Sequence, residues 1–152
     1  MSFRKLLPQK TVSKETLEIL SPVFEGEILF KHQRFEESVE KYREALERFL
    51  PKSSGRFLIY NKLGIVYERL ERYSQAIGIY EKCVSEGSIT PFTYQRLAQL
   101  YLDRRNFGRA SEFVRQGIRC LKNAKTDLFQ EIYFWFIFQR LKLRIKRLQK
   151  QS

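Results

Sequence analysis

One pattern of small, aliphatic and aromatic residues occurs three times along the chain, and this repeat constrains the fold more than any other feature. The clearest copy, at residues 60–83, reads YNKLGIVYERLERYSQAIGIYEKC. In its first half, the small, aliphatic and aromatic residues lie on one helical face: Tyr60, Leu63, Gly64 and Tyr67. In its second half, they again lie on one face: Tyr73, Ala76, Tyr80 and Cys83. The next copy begins 34 residues later at Tyr94, and a weaker upstream copy is offset by 38 residues because LPKSSG lengthens a loop.

This spacing resembles the tetratricopeptide repeat, whose 34-residue pattern is W-x2-L-G-x2-Y…A-x3-F…P. The resemblance covers about residues 19–124, with copies near 19–52, 57–90 and 91–124. The chain departs from the pattern because no copy has the Trp, Glu25 replaces a Leu, and Gly117 replaces the second small Ala. The resemblance implies an all-α fold, a right-handed alpha-alpha solenoid of three helix pairs. Residues 1–18 then form an N-terminal segment with a short helix, and 125–152 a capping helix with a basic tail.

Capping residues indicate where the helices begin and end. Ser21-Pro22 and Thr90-Pro91 each resemble an N-cap followed by proline at the first helical position, and Gly87 is placed to end a helix. Together with the periodicity, these signals predict helices near 14–20, 22–32, 35–49, 56–69, 73–86, 91–104, 107–122 and 126–149. A single pair of such helices cannot bury its own apolar face, so the pairs must stack.

The formal net charge of +12 lies almost entirely in the C-terminal part of the chain. Residues 1–90 contribute +2, from 15 basic and 13 acidic side chains, whereas residues 91–152 contribute +10, from 14 basic and 4 acidic side chains. A cationic surface of this kind favours acidic protein partners through electrostatic steering.

The first residues lack the apolar core of a signal peptide, so we expect a cytoplasmic protein. In that compartment Cys83 and Cys120 are expected to be reduced and to pack as small hydrophobic residues. A disulfide between them is the alternative.

The sequence contains no catalytic constellation. His32 is the only histidine, and its position near a helix end without a partner is typical of a solvated residue. A solvated helical face with i,i+4 ion pairs explains the acidic run of Glu36, Glu37, Glu40, Glu44 and Glu47. No phosphate-binding loop, dinucleotide fingerprint, zinc-protease motif or calcium loop occurs. We therefore predict that the protein is not an enzyme and uses no cofactor or metal ion.

The resemblance implies that the protein binds other proteins or peptides in a concave groove lined by the first helix of each pair. Helical geometry assigns to this groove the side chains that point away from the packed face. The predicted groove residues are Glu27, Phe30, Asn61, Ile65, Glu68, Gln95, Arg96, Gln99 and Leu102. The predicted function is that of a protein–protein interaction module: an adaptor, an assembly factor or a chaperone-like binder.

Some members of the family grip the C-terminal carboxylates of heat-shock chaperones with a clamp of Lys, Asn and Arg. Here Val23 and Glu27 stand at two of the clamp positions, Lys62 stands where Asn is expected, and Phe92 stands where Lys is expected. Arg96 alone matches, so this co-chaperone function is not expected.

The last predicted helix has two apolar faces. One stripe runs the whole helix within a sector of about 100° and comprises Phe134, Ile137, Phe138, Leu141, Ile145 and Leu148. The 34-residue register assigns a different face, with Leu128, Ile132 and Trp135, to packing on the third repeat. We therefore expect the long stripe to be covered by a second copy of the chain, as a homodimer, or by a partner helix. Folding of the stripe back onto the protein's own repeats is the alternative.

The basic C-terminal half also suggests a second function, an accessory protein that binds nucleic acid or an anionic membrane surface. Nucleic acid is not expected, because no recognised nucleic-acid fold accompanies the cationic residues Arg140, Arg144 and Arg147. A membrane surface is not expected either, because residues 128–138 are apolar on two faces, which suits burial between protein elements. The longest apolar run, 132–138, is far shorter than the roughly 20 residues that span a membrane.

Overall fold

The computed structural model describes residues 13–123 and 127–151, which form seven α-helices and no strand. The helices are α1 (Lys14–Lys31), α2 (Phe35–Arg48), α3 (Ser54–Arg69), α4 (Tyr73–Ser85), α5 (Pro91–Asp103), α6 (Phe107–Asn123) and α7 (Leu128–Gln149). The closest packing joins α1 to α2, α3 to α4, and α5 to α6, and each pair then packs on the next. This arrangement confirms the predicted all-α solenoid of three helix pairs followed by a C-terminal helix. Within these two ranges, no helix is both long and apolar enough to cross a lipid bilayer.

The repeated pattern forms the core of the stack. Most of its residues in the second and third pairs are buried, including Tyr60, Leu63, Tyr80, Leu97 and Ala110. Tyr94, Tyr101 and Phe107 are partly buried against this core, and Tyr73 is 44% exposed at the start of α4. The small residues of the pattern allow neighbouring helices to approach closely.

Two glycines show how close this approach is. A methyl group added to Gly64 of α3 would overlap the ring of Tyr80, which is fully buried on α4. A methyl group on Gly117 of α6 would likewise overlap the ring of Phe138, which is fully buried on α7. Glycine at these positions therefore leaves the space that an aromatic ring of the neighbouring helix fills.

The turns inside the three helix pairs share one geometry. The second residue after each first helix has a positive φ, and these residues are Gln33 (60°), Glu71 (58°) and Arg105 (57°). The following amide donates to a carbonyl five residues earlier, in the bonds Arg34 N to Leu29 O (2.9 Å), Arg72 N to Tyr67 O (2.8 Å) and Asn106 N to Tyr101 O (2.9 Å). This is the Schellman pattern of helix termination. It recurs at the predicted stop after α4, where Gly87 has a φ of 98°.

The predicted break at Ser21-Pro22 is wrong, because α1 runs without interruption from Lys14 to Lys31. Ser13 caps this helix by accepting a hydrogen bond from the amide of Thr16 (3.2 Å). Ser21 is not an N-cap because it lies inside this helix, where its hydroxyl donates to Glu25 Oε1 (2.8 Å). Pro22 is thus held inside the helix, where it is buried.

The predicted face assignment of the C-terminal helix is also wrong. The long stripe packs on α5 and α6, with Phe138, Leu141 and Ile145 buried and Phe134, Ile137 and Leu148 partly buried against the core. The residues predicted to dock on repeat three are exposed: Leu128 by 67%, Ile132 by 46% and Trp135 by 47%. Residues 127–133 are exposed on every side, so α7 meets the repeats only from Phe134 onward. The stripe is therefore covered by the protein's own repeats, which was the alternative, and it is not free for a homodimer or a partner helix.

Both cysteines are free and buried, as predicted. Burial raises the pKa of Cys120 to about 11. Burial also raises the pKa of Cys83, and hydrogen bonds with Ser88 and Thr93 offset only part of this effect. The thiol of Cys120 donates to the carbonyl oxygen of Ile89, and that of Cys83 lies 3.8 Å from the carbonyl oxygen of Phe57.

These environments predict that the thiols are unreactive in the folded protein. Since the thiolate is the reacting species, near pH 8 we expect a dithionitrobenzoate reagent to modify both cysteines at least tenfold more slowly than in denaturant. Absorbance of the released thiolate measures the rate. Equal rates in the folded and unfolded states would contradict the burial of these side chains.

Candidate peptide-binding groove

The first helices of the pairs and α7 line two adjacent clefts. The cleft between α3 and α5 has a volume of about 440 Å³ and is lined by Ile65, Glu68, Arg69, Tyr73, Phe92 and Arg96. The cleft between α5 and α7 has a volume of about 360 Å³ and is lined by Gln95, Gln99, Ile137, Arg140, Leu141 and Arg144. Both combine apolar walls with cationic side chains, to which the first cleft adds the carboxylate of Glu68 and the second the amides of Gln95 and Gln99. A mostly apolar cleft with a few polar groups is typical of a ligand site.

Glu68 organises the polar part of the first cleft. Its carboxylate accepts hydrogen bonds from the hydroxyl of Tyr80 (2.8 Å) and from Nε of Arg96 (3.0 Å), and Nη2 of Arg96 also contacts it. Burial lowers the pKa of Arg96, but the hydrogen bond and charge of Glu68 outweigh burial and leave this pKa raised. Arg96 is thus a fixed cation that joins α5 to α3, with little freedom to grip a ligand carboxylate.

Glu27 forms a similar link between the first two pairs. Its carboxylate accepts a hydrogen bond from the hydroxyl of Tyr42 (2.7 Å) and pairs with Nζ of Lys62 (2.6 Å). Burial raises the pKa of Glu27, but the bonds from Lys62 and Tyr42 outweigh burial and lower it overall. Phe30, nearby on α1, packs its ring 5.5 Å from that of Phe35.

Two predicted groove residues lie in the core instead. Asn61 is 8% exposed, and its side-chain oxygen accepts a hydrogen bond from the hydroxyl of Thr93 (2.7 Å). Leu102 is 2% exposed. Both predictions are wrong because a stacked solenoid buries these helices on the side of the next pair as well, which a single helical wheel does not show.

Two arginines give the clefts their available positive charge. Arg69 in the first cleft and Arg140 in the second are exposed, and neither forms an ion pair within 13–123 or 127–151. Arg144 lies 3.7 Å from Asp103, with both side chains about half exposed. Such an exposed pair contributes only about 0–1 kcal/mol, so Arg144 exchanges readily to another carboxylate.

The structure brings together five of the predicted groove residues, namely Ile65, Glu68, Gln95, Arg96 and Gln99. The predicted set omitted Arg69, Tyr73 and the contribution of α7 through Ile137, Arg140, Leu141 and Arg144. The contribution of α7 could have been found from the sequence. Its long apolar stripe had to pack either on the protein's own repeats or on a partner, and packing on the repeats brings α7 beside the groove. Among the described side chains, no group of three or more His, Cys, Asp or Glu could hold a metal ion.

Comparisons with known proteins agree with the repeat and with the fold of stacked helix pairs. Residues 16–85 match the family model described as Tetratricopeptide repeat. A comparison with curated protein sequences finds no significant match.

Several solved structures share the fold. The Sgt2 tetratricopeptide domain from Aspergillus fumigatus has a TM-score of 0.67 and 16% identity, over 88% of this chain and 82% of that one. PcrH, in complex with the chaperone binding region of PopD, has a TM-score of 0.68 and 12% identity, over 90% of this chain and 98% of that one. The TPR2B domain of yeast Sti1, in a complex with Hsp70, has a TM-score of 0.64 and 14% identity, over 82% of this chain and 98% of that one.

The stacked helix pairs define a helical-repeat protein, and two clefts lie between its first helices and α7. The match over residues 16–85 and the shared fold identify the repeat. Residues 16–85 therefore match the tetratricopeptide repeat, and the chain as a whole shares the fold of solved tetratricopeptide domains.

Proposed function

We propose that this protein is a protein–protein interaction module that binds an acidic peptide segment in the clefts between α3, α5 and α7. The exposed pair Arg69 and Arg140 carries the proposal, because these two cations border apolar walls formed by Ile65, Phe92 and Ile137. An extended or helical segment with apolar side chains and flanking carboxylates complements such a surface in both shape and charge.

The proposal of a peptide ligand is supported by two structural neighbours that were solved with a protein or peptide partner. PcrH is seen with a region of PopD, and the Sti1 domain with Hsp70. The Hsp70 complex is no guide to the ligand of this chain, because Arg96, which alone matches the carboxylate clamp, is paired with Glu68, and Lys62 is paired with Glu27.

An array of short peptides with acidic, neutral or basic flanks around an apolar core tests the proposal. We expect acidic peptides to bind best, and replacement of both Arg69 and Arg140 by alanine to weaken them about tenfold or more, with a shallower dependence on salt. Affinity is measured by fluorescence anisotropy at two ionic strengths.

The matched control replaces Arg119 and Lys122, two exposed cations of α6 that do not line either cleft, and it removes the same net charge. Equal losses in the two double variants would show that net charge, not the groove, attracts the peptides. Binding that does not distinguish acidic from basic peptides would overturn the proposed preference.

The proposal places the protein in the cytoplasm and assigns it no catalytic role. None of the similarities supports the alternative function in binding nucleic acid or a membrane surface. The long stripe of α7 packs on the protein's own repeats and so does not mediate self-association.

A further inference from the structure

The outer face of α7 carries a cluster of exposed apolar side chains. This aromatic patch consists of Leu128 (67% exposed), Phe129 (85%), Ile132 (46%), Tyr133 (62%), Trp135 (47%), Phe136 (63%) and Leu143 (67%). At 100° per residue these side chains lie on one side of the helix, opposite the buried stripe around Phe138 and Leu141. Trp135 and Phe136 also contact each other edge to face, with ring centroids 5.1 Å apart.

The size of the patch suits a specific protein interface. An aromatic side chain presents about 150–250 Å² of surface, so these seven residues leave on the order of 600–800 Å² exposed. The largest apolar patch on a typical monomer is about 300–600 Å², whereas a standard interface buries about 800 Å² per partner. The patch alone therefore nearly supplies one side of a stable interface.

The charges along α7 show which arrangement of two such helices is favourable. The acidic residue Glu131 lies near the N-terminal end of the patch, and six cations lie in the C-terminal half of the helix and just after it: Arg140, Lys142, Arg144, Lys146, Arg147 and Lys150. Parallel helices would set the two groups of cations against each other. Antiparallel helices instead place the cations of one copy beside the apolar and acidic end of the other.

The same sequence fixes a register for the antiparallel arrangement. A two-fold axis beside Phe136 pairs residues that are equally distant from it, so Phe129 of one copy meets Leu143 of the other. The same axis brings Glu131, five residues before Phe136, to within one residue (about 1.5 Å along the helix) of the level of Lys142, six residues after it. These two residues are eleven positions apart and hence only about 20° apart around the helix, so they lie on the same flank of the contact.

We propose that the aromatic patch is the interface of a symmetric homodimer, in which the α7 helices of two copies pack antiparallel about a two-fold axis beside Phe136. The apolar wall of the second cleft, Ile137 and Leu141, lies outside the sector of α7 that the patch occupies, whereas Arg140 lies at the border between the two surfaces. The dimer joins two solenoids through their C-terminal helices and does not involve the first cleft. The inference does not depend on the proposed peptide ligand.

Sedimentation velocity over a range of concentrations tests for the dimer. We expect the full chain to be dimeric at tens of micromolar. Replacement of both Trp135 and Phe136 by glutamate should make it monomeric, with the dissociation constant raised at least a hundredfold. Circular dichroism checks that the variant keeps its helices. The matched control, Leu50→Glu, changes a side chain that is 78% exposed between α2 and α3, and it should leave the dimer intact.

Charge exchange and cross-linking test the register. Glu131→Lys and Lys142→Glu should each weaken the dimer several-fold, and the two together should restore it. Phe136→Cys should form a disulfide between copies under mild oxidation, whereas Leu50→Cys should not, since the native cysteines are buried.

A chain that stays monomeric at all these concentrations would overturn the proposal. Cofloatation of that monomer with phosphatidylserine vesicles, lost in the Trp135 and Phe136 variant, would then assign the patch to a lipid surface. A dimer that survives the double glutamate substitution, or fails to regain affinity after charge exchange, would also overturn the proposed interface.

Discussion

Replacing Gly64 with alanine is expected to lower the free energy of unfolding by about 3 kcal/mol, the upper part of the range for an overpacked core. The added methyl group would overlap the ring of Tyr80, which is completely buried between α3 and α4. Tyr80 cannot move aside cheaply, because its hydroxyl donates to Glu68, which in turn holds Arg96 of the next pair. Urea unfolding followed by circular dichroism measures the loss.

Gly78 provides the matched control. It also lies inside a helix, but a methyl group there would meet no atom within 4 Å. Gly78→Ala should therefore stabilise the protein by about 0.5–1 kcal/mol, since alanine loses less backbone entropy in a helix than glycine does. If both alanine variants were stabilising, the close approach of α3 and α4 at Gly64 would be contradicted.

Replacing Phe138 with alanine is expected to cost about 3–5 kcal/mol and to release α7 from the repeats. Phe138 is fully buried against Gly117, and with Leu141 and Ile145 it forms the main contact of α7 with α5 and α6. Without its ring the contact loses its largest side chain and gains a cavity. Hydrogen exchange should show faster exchange of the α7 amides, while those of α3 and α4 keep their protection.

Phe24→Ala is the control for this substitution, because the Phe24 side chain is 57% exposed on α1 and its loss should change stability by less than about 1 kcal/mol. The release of α7 should also remove one wall of the second cleft, so acidic peptides should bind less tightly to the Phe138 variant. Unchanged protection of the α7 amides would show that this helix is held by other contacts.

The repeat itself predicted most of the fold. From α2 to α6, the observed helix bounds lie within a few residues of the predicted ones, because small residues and aromatic residues recur at fixed positions such as Gly64, Tyr80, Ala98 and Ala110. The break predicted at Ser21-Pro22 failed for a local reason. A Ser-Pro pair has the composition of a helix start, but the hydroxyl of Ser21 bonds to the Glu25 side chain instead.

The orientation of α7 could not be read from the sequence in the same way. Periodicity finds both apolar faces of this helix, but it does not show how far the helix slides along its neighbours. The 34-residue register placed Leu128 against repeat three, yet α6 continues to Asn123, beyond the length of α4, and α7 docks through Phe138 and the residues that follow it. Prediction of the groove failed at Asn61 and Leu102 for a different reason, because their burial depends on the neighbouring pair, which a single helix does not show.

Because α7 forms one wall of the second cleft, its docking on the repeats determines how tightly a ligand binds there. A peptide that contacts both Gln99 and Arg140 binds only molecules in which α7 is docked, so its apparent affinity is the intrinsic affinity multiplied by the docked fraction. By the same linkage, the peptide stabilises the docked helix.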